Sequence, residues 1–154
     1  MIEIIQSPNE SNSNGLKVFL AGGISNCINW QNQICEKLIT EQKLTDINKN
    51  VIIFNPRCKE IPKEEPQVKW EYEKLKDADI IGFWFSYGSL NPITLFEYGS
   101  HIKSNKIIVV GCHTNYERKT NVIIQTKLAR PEIEVQHNFE DFYNELVETI
   151  LNFQ

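Results

Sequence analysis

Long apolar runs are missing from this chain. No stretch approaches the roughly 20 consecutive apolar residues that a membrane-crossing helix needs, and the first residues lack the basic, apolar and small-residue order of a secretion signal. The expected location is the cytoplasm, with no membrane partner. An excess of positive charge is missing too: 16 Lys and Arg against 20 Asp and Glu leave a net charge of −4. That balance argues against a nucleic-acid polymer as partner, because such binding is driven by cations neutralising phosphates. Cys27, Cys35, Cys58 and Cys112 form no CxxC or other close pair, and His101, His113 and His137 are dispersed. A metal site therefore has little support, and four reduced thiols are expected; Cys58 is the one whose reactivity a neighbouring cation, Arg57, favours. The phosphate-cradling glycine motifs are absent as well, since Gly22-Gly23 belongs to neither a GxGxxG nor a GK[ST] pattern.

The 154 residues, 41% apolar and 23% charged, amount to about one ordinary globular domain. Residues 7–15, SPNESNSNG, are polar and turn-forming, so 1–15 reads as a tail or frayed strand and 16–154 as a single domain. From Leu16 onward, short β-branched or aromatic runs alternate with helical stretches, the pattern of βαβ units. Strands are expected at Lys17–Ala21, Val51–Asn55, Asp79–Phe85, Lys106–Gly111 and Ile133–Gln136, and most read as continuous apolar runs, as strands covered on both faces must. Helices are expected near Asn29–Glu41, Gln67–Asp77, Pro92–Ser104, Asn121–Ala129 and Phe139–Asn152, with a mobile surface segment over Arg57–Pro66. Class statistics then give an α/β flavodoxin-like three-layer sandwich with a five-stranded parallel sheet in the order 2-1-3-4-5, its crevice between the C-terminal ends of strands one and three.

Three segments converge on that crevice. Gly22-Gly23-Ile24-Ser25 lets backbone approach a ligand ahead of a helix N-terminus, or is a tight turn and nothing more. Asn55-Pro56-Arg57 offers an amide and a guanidinium suited to sugar hydroxyls or a base edge, or a turn and a surface charge. The third, FWFSYGSLNPITLFEYG, runs from a strand through a loop into a helix that Asn91 can cap and Pro92 can start. Glu97 lies in its second turn among Ile93, Thr94, Leu95, Phe96 and Tyr98, where a carboxylate is costly unless something uses it. It is either a nucleophile held beside the crevice or a solvent-facing glutamate. Gly99 inside the same helix points to close packing or a nearby ligand. Phe83, Trp84, Phe85 and Tyr87 suit stacking on a planar base or a place in the core, and Asp79 is an active-site acid or a polar strand start.

VFLAGGI, the pair Trp30-Gln31, FNPR, WEYEKLKDADIIGFWF and NPITLFEYG, with VGCHTNYERKTNVIIQTKLARP after them, resemble the nucleoside 2-deoxyribosyltransferase-like family from Leu16 to about Pro131. NPITLFEYG is the most specific part. The resemblance implies that Glu97 attacks C1′ of a 2′-deoxynucleoside to form a covalent deoxyribosyl ester, which a second base, or water, then resolves with net retention. It makes Asp79 the residue orienting Glu97 or the sugar. It puts Asn91 where the better-known branch has a proton-donating aspartate, and an amide cannot supply the proton. Gly22, Gly23, Ile24, Asn55, Arg57 and Phe85 become the substrate-binding set, with nucleosides and nucleobases as partners and no metal or organic cofactor. It also implies a homo-oligomer with shared active sites, to which either the 112–120 loop, with His113, Asn115, Tyr116 and Arg118, or the C-terminal end contributes. Hydrolysis of a nucleoside or its 5′-monophosphate and ligand binding without turnover are the alternatives.

Overall fold

The computed structural model describes residues 1–58 and 64–154. The elements run β1 (Ile2–Gln6), β2 (Leu16–Gly22), α1 (Trp30–Thr40), α2 (Gln42–Thr45), β3 (Val51–Asn55), α3 (Glu64–Asp77), β4 (Ile80–Phe85), α4 (Pro92–His101), β5 (Ile107–Cys112), α5 (Lys119–Ala129), β6 (Val135–Gln136) and α6 (Phe139–Asn152). All six strands pair in parallel in one sheet, in the order β1-β3-β2-β4-β5-β6.

The strand sequences explain the three layers. Every residue of VIIFN in β3 and of IIGFWF in β4 is buried, which requires cover on both faces because successive side chains point to opposite sides. Phe19, Ala21, Ile81, Phe83 and Phe85 pack with Trp70 and Leu75 of α3, Tyr98 of α4 and Val122 of α5. Val18, Leu20, Ile80 and Trp84 pack on the other side with Trp30, Ile34 and Leu38 of α1, Leu44 of α2 and Phe142 and Leu146 of α6. Each large side chain taken wholly out of water contributes about 1.5–3 kcal/mol. The α6 stripe Phe142, Tyr143, Leu146, Val147 and Ile150 is buried, and Asn138 caps that helix by accepting the Asp141 N–H at 2.9 Å.

Four expectations need correction. The sheet has six strands, not five: Ile2–Gln6, read as part of a tail or frayed strand outside the domain, pairs with Val51–Asn55 residue for residue, so the order differs from 2-1-3-4-5 by one edge strand. Nothing local in IEIIQ foretells a partner some fifty residues away. The strand at Ile133–Gln136 shrinks to Val135–Gln136, because the Ile133 N–H turns back to the Arg130 carbonyl. Helix α3 begins at Glu64 rather than Gln67, with Pro66 in its first turn, where a missing N–H is harmless. The anticipated mobile segment therefore ends in helix, and its residues 59–63 lie outside the described residues.

The chain leaves β2 for α1 on one face and leaves its neighbour β4 for α4 on the other. Their C-terminal ends are the switch point at which a ligand crevice opens.

Candidate active site

A cavity of about 270 Å³ occupies that switch point, lined by Phe19, Ala21, Gly22, Gly23, Ile24, Ser25, Pro56, Glu71, Ser89, Asn91, Pro92, Ile93, Thr94 and Glu97. The volume is at the small end of ligand pockets. Phe19, Ala21, Ile24 and Ile93 are among its apolar lining residues, and Ser25, Ser89 and Thr94 are its hydroxyl-bearing ones. Two carboxyl groups face into it, Glu97 from α4 and Glu71 from α3.

Glu97 is held by helix geometry: Pro92 starts α4 and Tyr98, 5% exposed, anchors it on Phe83 and Phe85, which turns the preceding residue toward the cavity. Burial, and then the charge of Glu71, push the Glu97 carboxyl from its ordinary 4.5 up to about 8. Glu71 is also raised by burial, against the opposing effect of a bond from Gln67, whose Nε2 donates to its Oε1 at 2.6 Å. Two carboxyls in one poorly solvated space cannot both ionise freely, so the pair keeps a proton that an isolated glutamate would lose.

Gly23 is shaped to its neighbour. A Cβ there would lie 1.9 Å from Asn91 Oδ1, so only glycine allows the β2 turn and the β4–α4 loop to meet. Asn91 has a left-handed φ of 49°, which asparagine tolerates better than most residues. Its side chain does not cap α4 as expected; Nδ2 donates to the carbonyls of Ser86 at 3.1 Å and Ser89 at 3.2 Å and holds the loop closed. Asn91 Oδ1 and Ser86 Oγ are buried without partners. Both belong to this loop, the kind of place where unsatisfied groups mark a functional rather than a purely structural segment.

Of the anticipated residues, Glu97, Asn91, Gly22, Gly23 and Ile24 meet in the cavity. Four others do not. Asp79 sits at the opposite end of the sheet, before β4, where Oδ2 accepts the Lys17 N–H at 2.9 Å. Six strand residues at about 3.3 Å each separate it by some 20 Å from the C-terminal end of β4. Asn55 donates to Asn32 Oδ1 at 2.9 Å and accepts the Arg57 N–H at 3.0 Å. Arg57 donates to Gln31 Oε1 and the Ile28 carbonyl, both at 2.8 Å, and braces the glycine turn from behind. Phe85 is wholly buried between Tyr98 and Tyr116 and does not line the cavity. Gly99 is exposed, and a Cβ added there would meet nothing within 4 Å, so close packing does not account for it. Tyr116 of the 112–120 loop is buried and donates to the Leu90 carbonyl at 2.7 Å, committing it to its own chain.

Glu71 is the site residue that sequence reasoning misses. It stands in QVKWEYEKLKD, which reads as a charged surface helix, yet Gln67, Trp70 and Leu75 are buried and Glu71 and Lys74 partly so. Those positions follow the i, i+3, i+4, i+7, i+8 spacing of an inward stripe, and the place of Glu71 on it is the available signal.

No curated protein matches the chain. Among solved structures, a conserved protein from Enterococcus faecalis V583 superposes with a TM-score of 0.55 at 10% identity, covering 88% of this chain and 99% of that one; at that identity the likeness speaks for the fold alone. The sequence profile of the nucleoside 2-deoxyribosyltransferase-like family matches residues 15–116, which include the glycine turn, Glu71, Asn91 and Glu97. On that match the chain belongs to the nucleoside 2-deoxyribosyltransferase-like family.

Proposed function

We propose that the protein transfers a 2-deoxyribosyl group between nucleobases, with Glu97 as nucleophile and Glu71 as its proton-handling partner. The observation that carries this is the pairing of two carboxyls in one small cavity at the switch point. In the first step a Glu97 carboxylate oxygen bonds to C1′ while the C1′–N bond breaks. The bonding electrons leave with the base, which takes up the proton held by the pair. In the second step a nitrogen of the incoming base bonds to C1′, the ester C–O bond returns its electrons to Glu97, and the proton shed by that nitrogen returns to the carboxyls. Two inversions leave the configuration unchanged. Asn91, whose amide N–H groups are spent on loop carbonyls, shapes the cavity wall and does not donate the proton.

The substrates are small molecules, nucleosides and free bases. The partner this reading favours is a second copy of the chain. Val68, Tyr72, Ile93, Phe96, Ile124 and Leu128 leave the α3–α4–α5 layer studded with exposed apolar side chains, whereas the opposite helices expose Ile39 alone of that kind among the described residues. Ile93 also lines the cavity, so a copy seated there closes its mouth.

Incubation with deoxyinosine and adenine, followed by chromatography, tests the reaction. Deoxyadenosine as product supports transfer, free hypoxanthine alone replaces transfer with hydrolysis, and binding without turnover removes catalysis from the account.

A further inference from the structure

The amide of Gln67 is buried and makes every hydrogen bond open to it. Nε2 donates to Glu71 Oε1 at 2.6 Å and to the Pro56 carbonyl at 2.7 Å. Oε1 accepts from the Ser7 hydroxyl at 2.5 Å and from the Cys58 thiol at 3.0 Å. Two donors and two lone pairs are all a side-chain amide has. The pattern also fixes which way round the amide lies, since reversal would set its oxygen against the Pro56 carbonyl and the Glu71 carboxylate. Ser7 is itself 3% exposed and is held by its own N–H, which donates to the Asn55 carbonyl at 3.0 Å. A hydrogen-bonded relay thus runs from the end of edge strand β1, through α3, to the cavity.

We propose that Gln67 is a positioning residue: oriented by Ser7 and Cys58, it aims an N–H at Glu71 and so fixes that carboxylate's place and proton affinity beside Glu97. The inference rests on the reading that Glu71 serves Glu97. Among the described residues, the titratable groups around Glu71 are Glu97 across the cavity and Cys58 at one remove through Gln67; Lys74, one turn along α3, is drawn off to Glu10. A bond donated to a carboxylate favours its ionised form, and here it opposes the effect of burial.

The test is a carboxyl-carbon NMR titration of Glu71 and Glu97 in the full chain labelled at glutamate. Gln67→Met is expected to raise the Glu71 midpoint by about one pH unit, a tenfold gain in proton affinity, and to lower that of Glu97, because a neutral Glu71 no longer repels its charge. Ser7→Ala, which leaves Gln67 in place with one acceptor site freed, is expected to move both midpoints the same ways by less, and it decides the matter if Gln67→Met fails to fold. An unmoved Glu71 midpoint in a folded variant overturns the proposal. The two readings fail separately: base exchange with an unmoved Glu71 removes the relay and keeps the reaction, whereas a moved Glu71 in a chain without turnover keeps the relay and removes the reaction.

Discussion

A carboxyl pair that keeps one proton up to about pH 8 has that proton to give to a leaving base at neutral pH, and burial makes the carboxylate that remains the more reactive. For the free enzyme, kcat/KM should therefore fall as pH rises through a limb centred near 8, where the pair loses that proton, read from initial rates. Glu71→Gln removes one of the two causes of the shift, so the Glu97 midpoint in a carboxyl-carbon titration should move to lower pH; a midpoint that stays in place would show that the carboxyls do not interact. Stability carries the same signature. A folded-state value above the ordinary 4.5 means that the native form binds this proton more tightly, so its contribution is full below about 4.5 and is lost as pH rises toward 8. Glu97→Gln should accordingly raise Tm at pH 9 by several degrees and leave it unchanged near pH 4. Thermal melts at the two pH values check it.

Two loops meeting at one point make the crevice, and their contact is tight enough to test. Gly23→Ala must push the Asn91 amide off the Ser86 and Ser89 carbonyls, a cost of about 1–3 kcal/mol. Adding Asn91→Gly removes the obstructing amide and keeps a residue at ease with φ 49°, so the double variant should recover part of the loss in a double-mutant cycle of melts. Strict additivity would show that the loops do not press on each other. At this scale the sequence is partly legible. Strand, glycine turn and helix start are local patterns, which is why Gly22, Gly23, Asn91 and Glu97 can be found from it. Asp79 is misplaced by resemblance although the fold rule excludes it: a residue that precedes a parallel strand lies at the end of the sheet away from the crevice. Glu71 escapes notice because its charged neighbours mask an inward helical stripe.

Seen whole, the molecule is asymmetric. One helix layer is polar outside, and the other carries Phe96 at 75% exposed and Leu128 at 76%. Phe96→Glu should lower the sedimentation coefficient if copies associate through that layer; an unchanged coefficient would remove the shared-site proposal while leaving the chemistry. The sheet is legible in the buried runs of β2 to β5, which declare themselves by composition. Strand β1 is not, because its place depends on pairing with Val51–Asn55 across the intervening chain. The chemistry, however, turns on one bond between Glu97 and a sugar carbon. Mass spectrometry of peptides from protein quenched in acid during reaction with a deoxynucleoside tests it most directly. The peptide containing Glu97 should gain the mass of one deoxyribosyl group, and this adduct should be absent from Glu97→Gln. Full turnover with that peptide unmodified, or an adduct persisting in Glu97→Gln, would contradict it.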